Sequence, residues 1–288
     1  MEILSLGAGV QSSVVALMSE AGELPRLDAA IFADTGAEPD DVYEWLDWLE
    51  GRLSFPVYRV MQKGGLLDAE GIKRVSEKSG KRYVTTHAPY WVASGDQWGG
   101  GLLRKCTRDF KIVPVQRKVK ELVAPPRGQK TPMVRQWLGI SMDEAHRMKP
   151  SRIPWIAHWY PLVTDTRTSR AGCLRWFRRQ GYDVAPPFSE PPRSACYMCP
   201  YHHPREWRRL QTEHPAEYEK AAAFEDRLRA AFEDHDNALK EGEVYLAKPS
   251  KNSKPRTLRE IDWAEEMETG QIDLFGHWGN ECEGMCGL

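Results

Sequence analysis

Cysteines at short spacing are the first residues in this sequence that could do chemistry. Cys196 and Cys199 form a C-x-x-C pair followed by Pro200, a spacing at which one hairpin presents two thiolates to a single metal ion or cluster. Cys106 lies among cationic neighbours, which stabilise a thiolate. Cys173 is either a further ligand or a small buried residue. Thiolates bind both zinc and iron–sulfur clusters, so spacing alone leaves the metal open.

A glycine-rich turn near the N-terminus is the second candidate. The short apolar strand Glu2–Leu6 runs into Gly7 and Gly9, and Ser12 and Ser13 then open a helix. Backbone N–H groups at a helix N-terminus bind phosphate, and glycine lets a ligand approach the backbone closely. The spacing matches neither the P-loop nor the dinucleotide fingerprint. By itself the turn predicts either a phosphate site or a plain strand–helix connection.

Charge is divided unevenly along the chain. Residues 104–209 carry 22 Lys and Arg against 8 Asp and Glu, a net charge of +14, whereas the other residues carry 18 against 33, a net charge of −15. A basic segment predicts a polyanionic partner, unless the acidic ends neutralise it in the fold. Arginines alternate with aromatic residues at 175–179 and 205–209. Such arginines can pair with phosphates, and the aromatic rings either stack on bases or belong to the core.

Composition excludes several classes of protein. The chain has 288 residues and 41% hydrophobic residues, enough for a buried core. No apolar run is long enough to span a bilayer, and the N-terminus lacks the pattern of a secretion signal. We therefore expect a cytoplasmic protein without membrane contact. In that reducing compartment, six cysteines are not expected to form a disulfide framework.

Alternating strands and helices must position these candidates. Apolar runs predict strands at 2–6, 27–32 and 56–60, and helical spacing predicts helices at 14–19 and 40–52. This alternation is typical of an α/β fold with a parallel sheet.

The later elements follow a less regular order. We expect residues 64–101 to form a long loop with short helical pieces, and residues 150–170 to form another loop. The remaining predictions are helices at 112–122, 174–180 and 215–239, a turn of helix at 258–266 and a strand at 134–140. Two domains are expected: a nucleotide-binding domain at 1–165 and a basic, helical, cysteine-containing region at 166–288.

In order along the chain, these motifs resemble the ATP-pyrophosphatase (adenine nucleotide alpha hydrolase-like) superfamily. Gly7-Ala8-Gly9-Val10-Gln11-Ser12 resembles its pyrophosphate loop, with Gly7 in place of the family's Ser and Gln11 in place of its Asp. Asp34-Thr35-Gly36 and the segment Trp137–Arg147 resemble later motifs of its sulfate-reductase branch. The segment around Cys106 is similar to the branch that contains phosphoadenylyl-sulfate reductases and DNA phosphorothioation enzymes. The resemblance covers most of residues 3–210.

The resemblance implies a nucleotide site and a metal centre. The ligands it implies are ATP or a sulfonucleotide, with Mg²⁺, and a [4Fe–4S] cluster with zinc as the alternative. The implied nucleotide-binding residues are Ser5, Gly7, Ala8, Gly9, Gln11, Ser12, Ser13, Asp34, Thr35 and Gly139. The implied catalytic residues are Arg108, Lys111, Asp143, Arg147 and Cys282. The implied cluster ligands are Cys106, Cys173, Cys196 and Cys199.

Several of these residues also have a purely structural interpretation. Asp34 could cap the helix that follows it. Asp143 or Glu144 could form a surface ion pair with Arg147 at helical spacing. Cys282, which forms a second cysteine pair with Cys286, is either a mobile redox or sulfur-relay thiol or part of a frayed tail.

Three functions follow as expectations. The first is an ATP-dependent, iron–sulfur sulfurtransferase that thiolates DNA or tRNA, with a cysteine desulfurase or sulfur carrier as donor. The second is a phosphoadenylyl-sulfate or adenylyl-sulfate reductase with Cys282 as its nucleophile. The third is a non-catalytic regulator that binds nucleotide or nucleic acid, which Gln11 in place of Asp would favour.

Overall fold

A computed structural model describes residues 1–67, 73–84, 86–94, 97–101, 105–182, 189–233, 243–247 and 254–269. Its strands are β1 (Glu2–Leu6), β2 (Ala29–Asp34), β3 (Val57–Met61), β4 (Lys73–Val75), β5 (Arg82–Val84), β6 (Trp91–Ser94), β7 (Gln97–Gly101), β8 (Val134–Leu138), β9 (Ile156–Trp159) and β10 (Glu243–Tyr245). Its helices are α1 (Val10–Glu20), α2 (Asp40–Glu50), α3 (Val113–Val123), α4 (Pro161–Thr164), α5 (Arg170–Arg179), α6 (Pro204–Glu213), α7 (Pro215–Glu233) and α8 (Trp263–Thr269). The described residues of 1–62 and 107–195 form one compact unit, and the described residues of 63–106 and 196–269 form a second.

The first unit is built on a five-stranded sheet in the order β3-β2-β1-β8-β9. Every neighbouring pair is parallel, and Leu4 in β1 lies opposite both Ala30 in β2 and Trp137 in β8. The expected α/β class with a parallel sheet is thereby confirmed. The strand order reverses between β1 and β8, and in open parallel sheets such a reversal leaves a crevice at the carboxyl ends of the strands.

Helices α1, α2 and α5 share one apolar core with the sheet. This core includes Val14 and Leu17 of α1, Trp45 of α2 and Phe177 of α5, each fully buried. Because α5 packs into this core, it belongs to the first unit, and the expected boundary after residue 165 does not coincide with the division between the units.

A second apolar cluster joins α3 to the sheet. Val115 and Val119 of α3 pack with Ile3 of β1 and Ile31 of β2. Helix α3 is preceded by a π-helical segment, Thr107–Ile112, whose Phe110 is also buried. Helices therefore pack in two separate clusters against the sheet, which is the usual way to cover a parallel sheet.

The second unit combines short antiparallel strands with three helices. Strand β6 pairs with β7 and with β10, and β4 pairs with β5. Its core includes Trp207 of α6 and Trp263 of α8, whose rings stack with centroids 6.0 Å apart. The expectation of helical pieces between residues 64 and 101 is therefore wrong for the residues that the structure describes. Valine, tyrosine and tryptophan at these positions favour strands, and the segments are too short to show periodicity.

The expected loop at 150–170 is also partly wrong. It contains β9, the edge strand of the sheet, and the short helix α4. Pro154 and Pro161 flank the strand, and four residues are too few to show a clear alternating pattern. In the part of the chain described, we find no helix with the length and apolar character needed to cross a membrane.

Candidate functional site

The turn between β1 and α1 is closed by its own hydrogen bonds. The Gly7 N–H donates to Ser12 Oγ at 3.1 Å, and Ser12 Oγ donates to the Gly9 carbonyl at 3.4 Å. Ala8 has a φ of +57°, in the left-handed region that favours glycine. Helix α1 begins directly after Gly9, which has no side chain to cap it. The N-terminal turn of α1 therefore lies at the carboxyl end of the central strand, as the sequence predicted.

The segment after β8 packs directly against this helix N-terminus. A Cβ at Gly139 would lie 2.7 Å from the Ser12 backbone nitrogen and 3.0 Å from the Gln11 carbonyl carbon. These distances are too short for a real side chain. Gly139 is therefore required for close packing, and it places the residues that follow beside the start of α1.

Gln11 connects the two segments. Its amide nitrogen donates to Glu144 Oε2 at 3.1 Å and to Ser141 Oγ at 3.5 Å, and its amide oxygen accepts from Arg170 Nη1 at 3.3 Å. Gln11 is 2% exposed and Glu144 is 8% exposed. Gln11 therefore has hydrogen-bond partners on both its amide nitrogen and its amide oxygen, as buried polar groups normally do. Its side chain helps to hold the turn in place.

Asp143 and Glu144 have different partners. Asp143 accepts from Ser141 Oγ at 2.5 Å and from the Arg170 backbone N–H at 3.1 Å, so it fastens the start of α5. Glu144 forms the ion pair with Arg147, three residues later in the 3-10 helix Met142–Arg147. The expected pairing of Arg147 is thus made by Glu144.

Two carboxylates and two guanidinium groups therefore meet where the strand order reverses. Asp143 and Glu144 supply oxygen atoms of the kind that bind Mg²⁺, while Arg147 and Arg170 supply donors of the kind that bind phosphate. Sequence reasoning missed Arg170; its signal was its place just after Ser169, which caps α5. Groups of these kinds are the ones that a nucleotide with its divalent cation would require.

No protein-family profile and no curated protein matches this chain. The resemblance to the ATP-pyrophosphatase superfamily therefore stays a prediction from the motifs.

The Asp34-Thr35-Gly36 segment forms a tight turn after β2. Asp34 Oδ1 accepts from the Gly36 N–H at 2.8 Å and from the Tyr43 hydroxyl at 2.8 Å. Gly36 has a φ of +71°, which glycine adopts without strain. Asp34 thus holds its own turn and the Tyr43 side chain of α2. It does not cap α2, as the structural alternative would require, because the residue at the N-cap of that helix is Pro39.

Glu38 is a buried carboxylate that the sequence did not single out. Its Oε1 accepts from Thr35 Oγ1 at 3.3 Å and from Lys111 Nζ at 3.4 Å, and its Oε2 accepts from Ser194 Oγ at 3.4 Å. The π-helical segment carries Lys111 to this carboxylate. Glu38 sits two residues after Gly36, and this position beside the turn was the signal that could have identified it.

The other predicted site residues lie apart from this network. Ser13 accepts from Trp45 Nε1 at 2.9 Å in the core, so its hydroxyl supports packing. Ser5 lies within β1, opposite Ile31 and Leu138. The side chain of Arg108 is 81% exposed, which leaves it in solvent. Cys282 lies outside the described residues.

Cys173 does not fit a cluster-ligand position. It is fully buried in the apolar core of the first unit, where it is grouped with Trp176 and Phe177. Burial raises the pKa of its thiol to about 12, which disfavours the thiolate that a metal requires. Among the described residues, no group of three or more His, Cys, Asp or Glu side chains is placed to hold a metal ion.

The other three described cysteines belong to the second unit. Cys196 and Cys199 form a tight turn in which the Cys199 N–H donates to the Cys196 carbonyl at 2.9 Å. Cys106 and Cys199 are partly exposed, whereas Cys196 is 8% exposed. These three remain the predicted thiolate ligands, with the fourth place unassigned.

Two histidines and the aromatic residues near the cysteines contribute to packing. His202 is buried, its Nε2 lies 2.9 Å from the Cys196 carbonyl oxygen, and its ring meets Trp207 edge-on. His203 caps α6. Trp176 and Phe177 are 3% and 0% exposed. These rings are therefore part of the apolar core. The alternative that they stack on bases is wrong.

Proposed function

We propose that this chain is a nucleotide-dependent enzyme that transfers sulfur to a nucleic acid. The observation that carries the proposal is the buried polar network around Gln11, at the point where the order of a parallel sheet reverses. Ligands of such sheets bind at this point. A network of carboxylates, guanidinium groups and a helix N-terminus is the chemistry that a nucleotide with Mg²⁺ needs.

Glu144 offsets the missing charge at position 11. The resembled family has an aspartate there, whereas this chain has an uncharged amide. Glu144 brings a carboxylate oxygen to 3.1 Å from that amide. A carboxylate is therefore present beside the turn, paired with Arg147, and it supports retained catalysis over degeneration to a binding-only site.

The reaction would begin with activation of the acceptor. An acceptor oxygen attacks the α-phosphorus of ATP, the bond to the bridging oxygen breaks, and pyrophosphate leaves. Arg147 and Arg170 would stabilise the charge that develops on the phosphate oxygens. The terminal sulfur of a persulfide on the donor protein would then attack the activated position, and AMP would leave with the acceptor oxygen. A second thiol would attack the donor's inner sulfur, which releases the thiolated acceptor and leaves the two thiols joined as a disulfide.

None of these reaction steps uses an iron–sulfur cluster, because Cys173 does not fit the position of a fourth cluster ligand. In this proposal, an iron–sulfur cluster or zinc would be held by the thiolates of Cys106, Cys196 and Cys199. As part of the same proposal, we place the protein in the cytoplasm, where thiols stay reduced.

The test measures ATP binding and pyrophosphate release on anaerobically purified protein. We expect calorimetric binding of ATP with Mg²⁺, and pyrophosphate release that depends on added tRNA or DNA. Arg170→Gln should weaken both. Arg152→Gln, an exposed arginine of the same unit, is the matched control and should leave both unchanged. Failure of the parent protein to bind ATP would refute the proposal.

The two alternatives give different results in the same preparation. A reductase would release sulfite from phosphoadenylyl sulfate or adenylyl sulfate, and Cys282→Ser would abolish that release. A regulator would bind ATP but release no pyrophosphate with any acceptor.

A further inference from the structure

A cleft on the helical face of the first unit lies beside the network around Gln11. Its volume is about 610 Å³, and it is bounded by the C-terminal part of α1, the segment that precedes α5 and one face of α5. Arg167, Arg175 and Arg179 line it. We call it the arginine cleft.

The three arginines carry positive charge that the protein does not compensate. All three are exposed, and within the described part of the chain none of them forms an ion pair. The acidic residue that lines the cleft, Glu23, accepts instead from Trp176 Nε1 at 2.8 Å and from Gln180 Nε2 at 3.1 Å. An anionic ligand would therefore meet guanidinium groups with unused donors.

The arginines are arranged to contact successive groups of an extended ligand. Arg175 and Arg179 are four residues apart on α5, so their Cβ atoms lie about 5–6 Å from each other on one face. Arg167 precedes α5 and has a φ of +48°. Its neighbours fix it, since the Thr168 N–H donates to the Leu162 carbonyl at 2.7 Å. The positive charges thus follow the length of the helix instead of converging on one point.

Among the described residues that line the cleft, none offers an exposed aromatic ring for stacking. Trp176 is 3% exposed and its indole N–H is already bonded to Glu23. Without exposed rings, the contacts are to phosphates and not to bases, so they would be independent of sequence. A free nucleotide would need a more enclosed site that also recognises its base.

We infer that the arginine cleft binds the sugar–phosphate backbone of a nucleic acid strand. This inference rests on the proposed function for its substrate class, and it adds where the strand lies beside the reaction site. Arg167, Arg175 and Arg179 each contact a phosphate.

The experiment measures binding of a fluorescently labelled single-stranded oligonucleotide by anisotropy over a salt series. The triple variant Arg167→Gln, Arg175→Gln, Arg179→Gln removes the cleft's charge and leaves the fold intact, since all three side chains are exposed. We expect the slope of log K against log salt to flatten by about 2, since each phosphate contact on a single strand contributes about 0.7. Affinity at moderate salt should fall roughly tenfold or more.

Arg178→Gln is the matched control. This residue is on the same helix and exposed, but it lies outside the cleft and approaches Glu190 at 3.5 Å. It should keep the parent's slope. Equal circular dichroism spectra and unfolding midpoints for parent and variants establish that the comparison concerns binding.

Three results would overturn the inference: no oligonucleotide binding by the parent, an unchanged slope in the triple variant, or the loss of ATP binding along with oligonucleotide binding in that variant. The last result would make the cleft a nucleotide site. Failure of the proposed function is separate, because it is measured as absent ATP binding and absent pyrophosphate release by the parent protein.

Discussion

Gln11 shows how one side chain decides the electrostatics of the turn. Its amide donates to Glu144 and accepts from Arg170, so the position needs a donor and an acceptor at once. An aspartate there would place a second carboxylate beside Glu144 and would remove the donor. We therefore predict that Gln11→Asp lowers the free energy of unfolding by about 1–3 kcal/mol, the usual cost of leaving a buried polar group unpaired.

The double variant Gln11→Asp, Glu144→Gln is the control for that prediction. It again has one amide and one carboxylate, now exchanged between the two positions. It therefore separates the repulsion between two carboxylates from the effect of the shorter side chain at position 11. We expect it to recover part of the loss, giving a coupling energy measurable in a double-mutant cycle by urea unfolding. Equal stability of Gln11→Asp and the parent protein would contradict this account.

Cys173 and Cys196 should respond differently to the same substitution. Cys173 lies in the apolar core, so Cys173→Ala should cost about 1 kcal/mol of stability through the lost volume, and it should leave bound metal unchanged. Cys196→Ala should remove the metal. The measurement is iron, sulfide and zinc content per chain after anaerobic purification. Loss of metal from Cys173→Ala would show that Cys173 is the fourth ligand after all, and a parent without metal would refute the centre itself.

At the scale of elements, the contact between the end of β8 and the start of α1 holds the candidate site together. Gly139→Ala would place a Cβ against backbone atoms of Ser12, which cannot rotate away. We predict a loss of about 1–3 kcal/mol from this overpacking, and weaker ATP binding. Thermal unfolding and calorimetry measure the two effects.

Gly51→Ala is the matched control for the glycine. Its nearest neighbour would be the Asp47 carbonyl oxygen at 3.7 Å, an ordinary contact, and it lies at the end of α2. We expect parental or slightly higher stability there. If Gly139→Ala and Gly51→Ala have the same stability and the same affinity for ATP, the close contact at Gly139 does not matter for either property.

The elements also show what the sequence could predict. Continuous apolar runs placed β1, β2, β3 and β8, because buried parallel strands need apolar residues on both faces. Edge strand β9 was not predicted, since only Ile156 of its four residues is buried. The start of α1 was placed four residues late, because Val10 and Gln11 belong to the helix although the glycines beside them suggested a turn.

The candidate site was predicted in part for the same kind of reason. The order of the motifs identified Gln11 and Asp143. Their hydrogen-bond partners could not be predicted, because these lie far away in the sequence and come close only through tertiary packing. Arg170 lies 159 residues from Gln11, and Ser194 lies 156 residues from Glu38. The sequence leaves Cys173 as either a ligand or a buried residue, because the spacing of a cysteine does not reveal whether its side chain faces the core.

At the scale of the whole molecule, the structure partly explains the uneven distribution of charge between residues 104–209 and the rest of the chain. Several cations of the basic segment are paired inside the fold, as Lys111 is with Glu38 and Arg209 is with Glu206. The exposed arginines of the arginine cleft are not. The net charge of a segment therefore overstates the positive surface, and the unpaired groups are those that count for binding.

The stability of the whole chain should depend on pH through Glu225. This fully buried carboxylate on α7 accepts from the backbone N–H groups of Leu246 at 2.7 Å and Leu258 at 2.6 Å. Burial raises its pKa from 4.5 to about 7, and the two hydrogen bonds only partly oppose that rise. The folded state therefore holds a proton that the unfolded state releases. This contribution to stability is complete below pH 4.5 and is lost as the pH rises to about 7.

A difference of this size corresponds to about 3 kcal/mol across the window, at about 1.4 kcal/mol per pH unit. Glu225→Gln cannot titrate, so urea unfolding should show a parent that loses stability relative to this variant as the pH is raised. Any fixed cost of the amide shifts the variant's curve without changing its slope. Glu213→Gln, at an exposed position on α6, is the control and should follow the parent. If parent and Glu225→Gln run parallel between pH 4.5 and 7, Glu225 is ionised in the folded protein and its two backbone donors outweigh its burial.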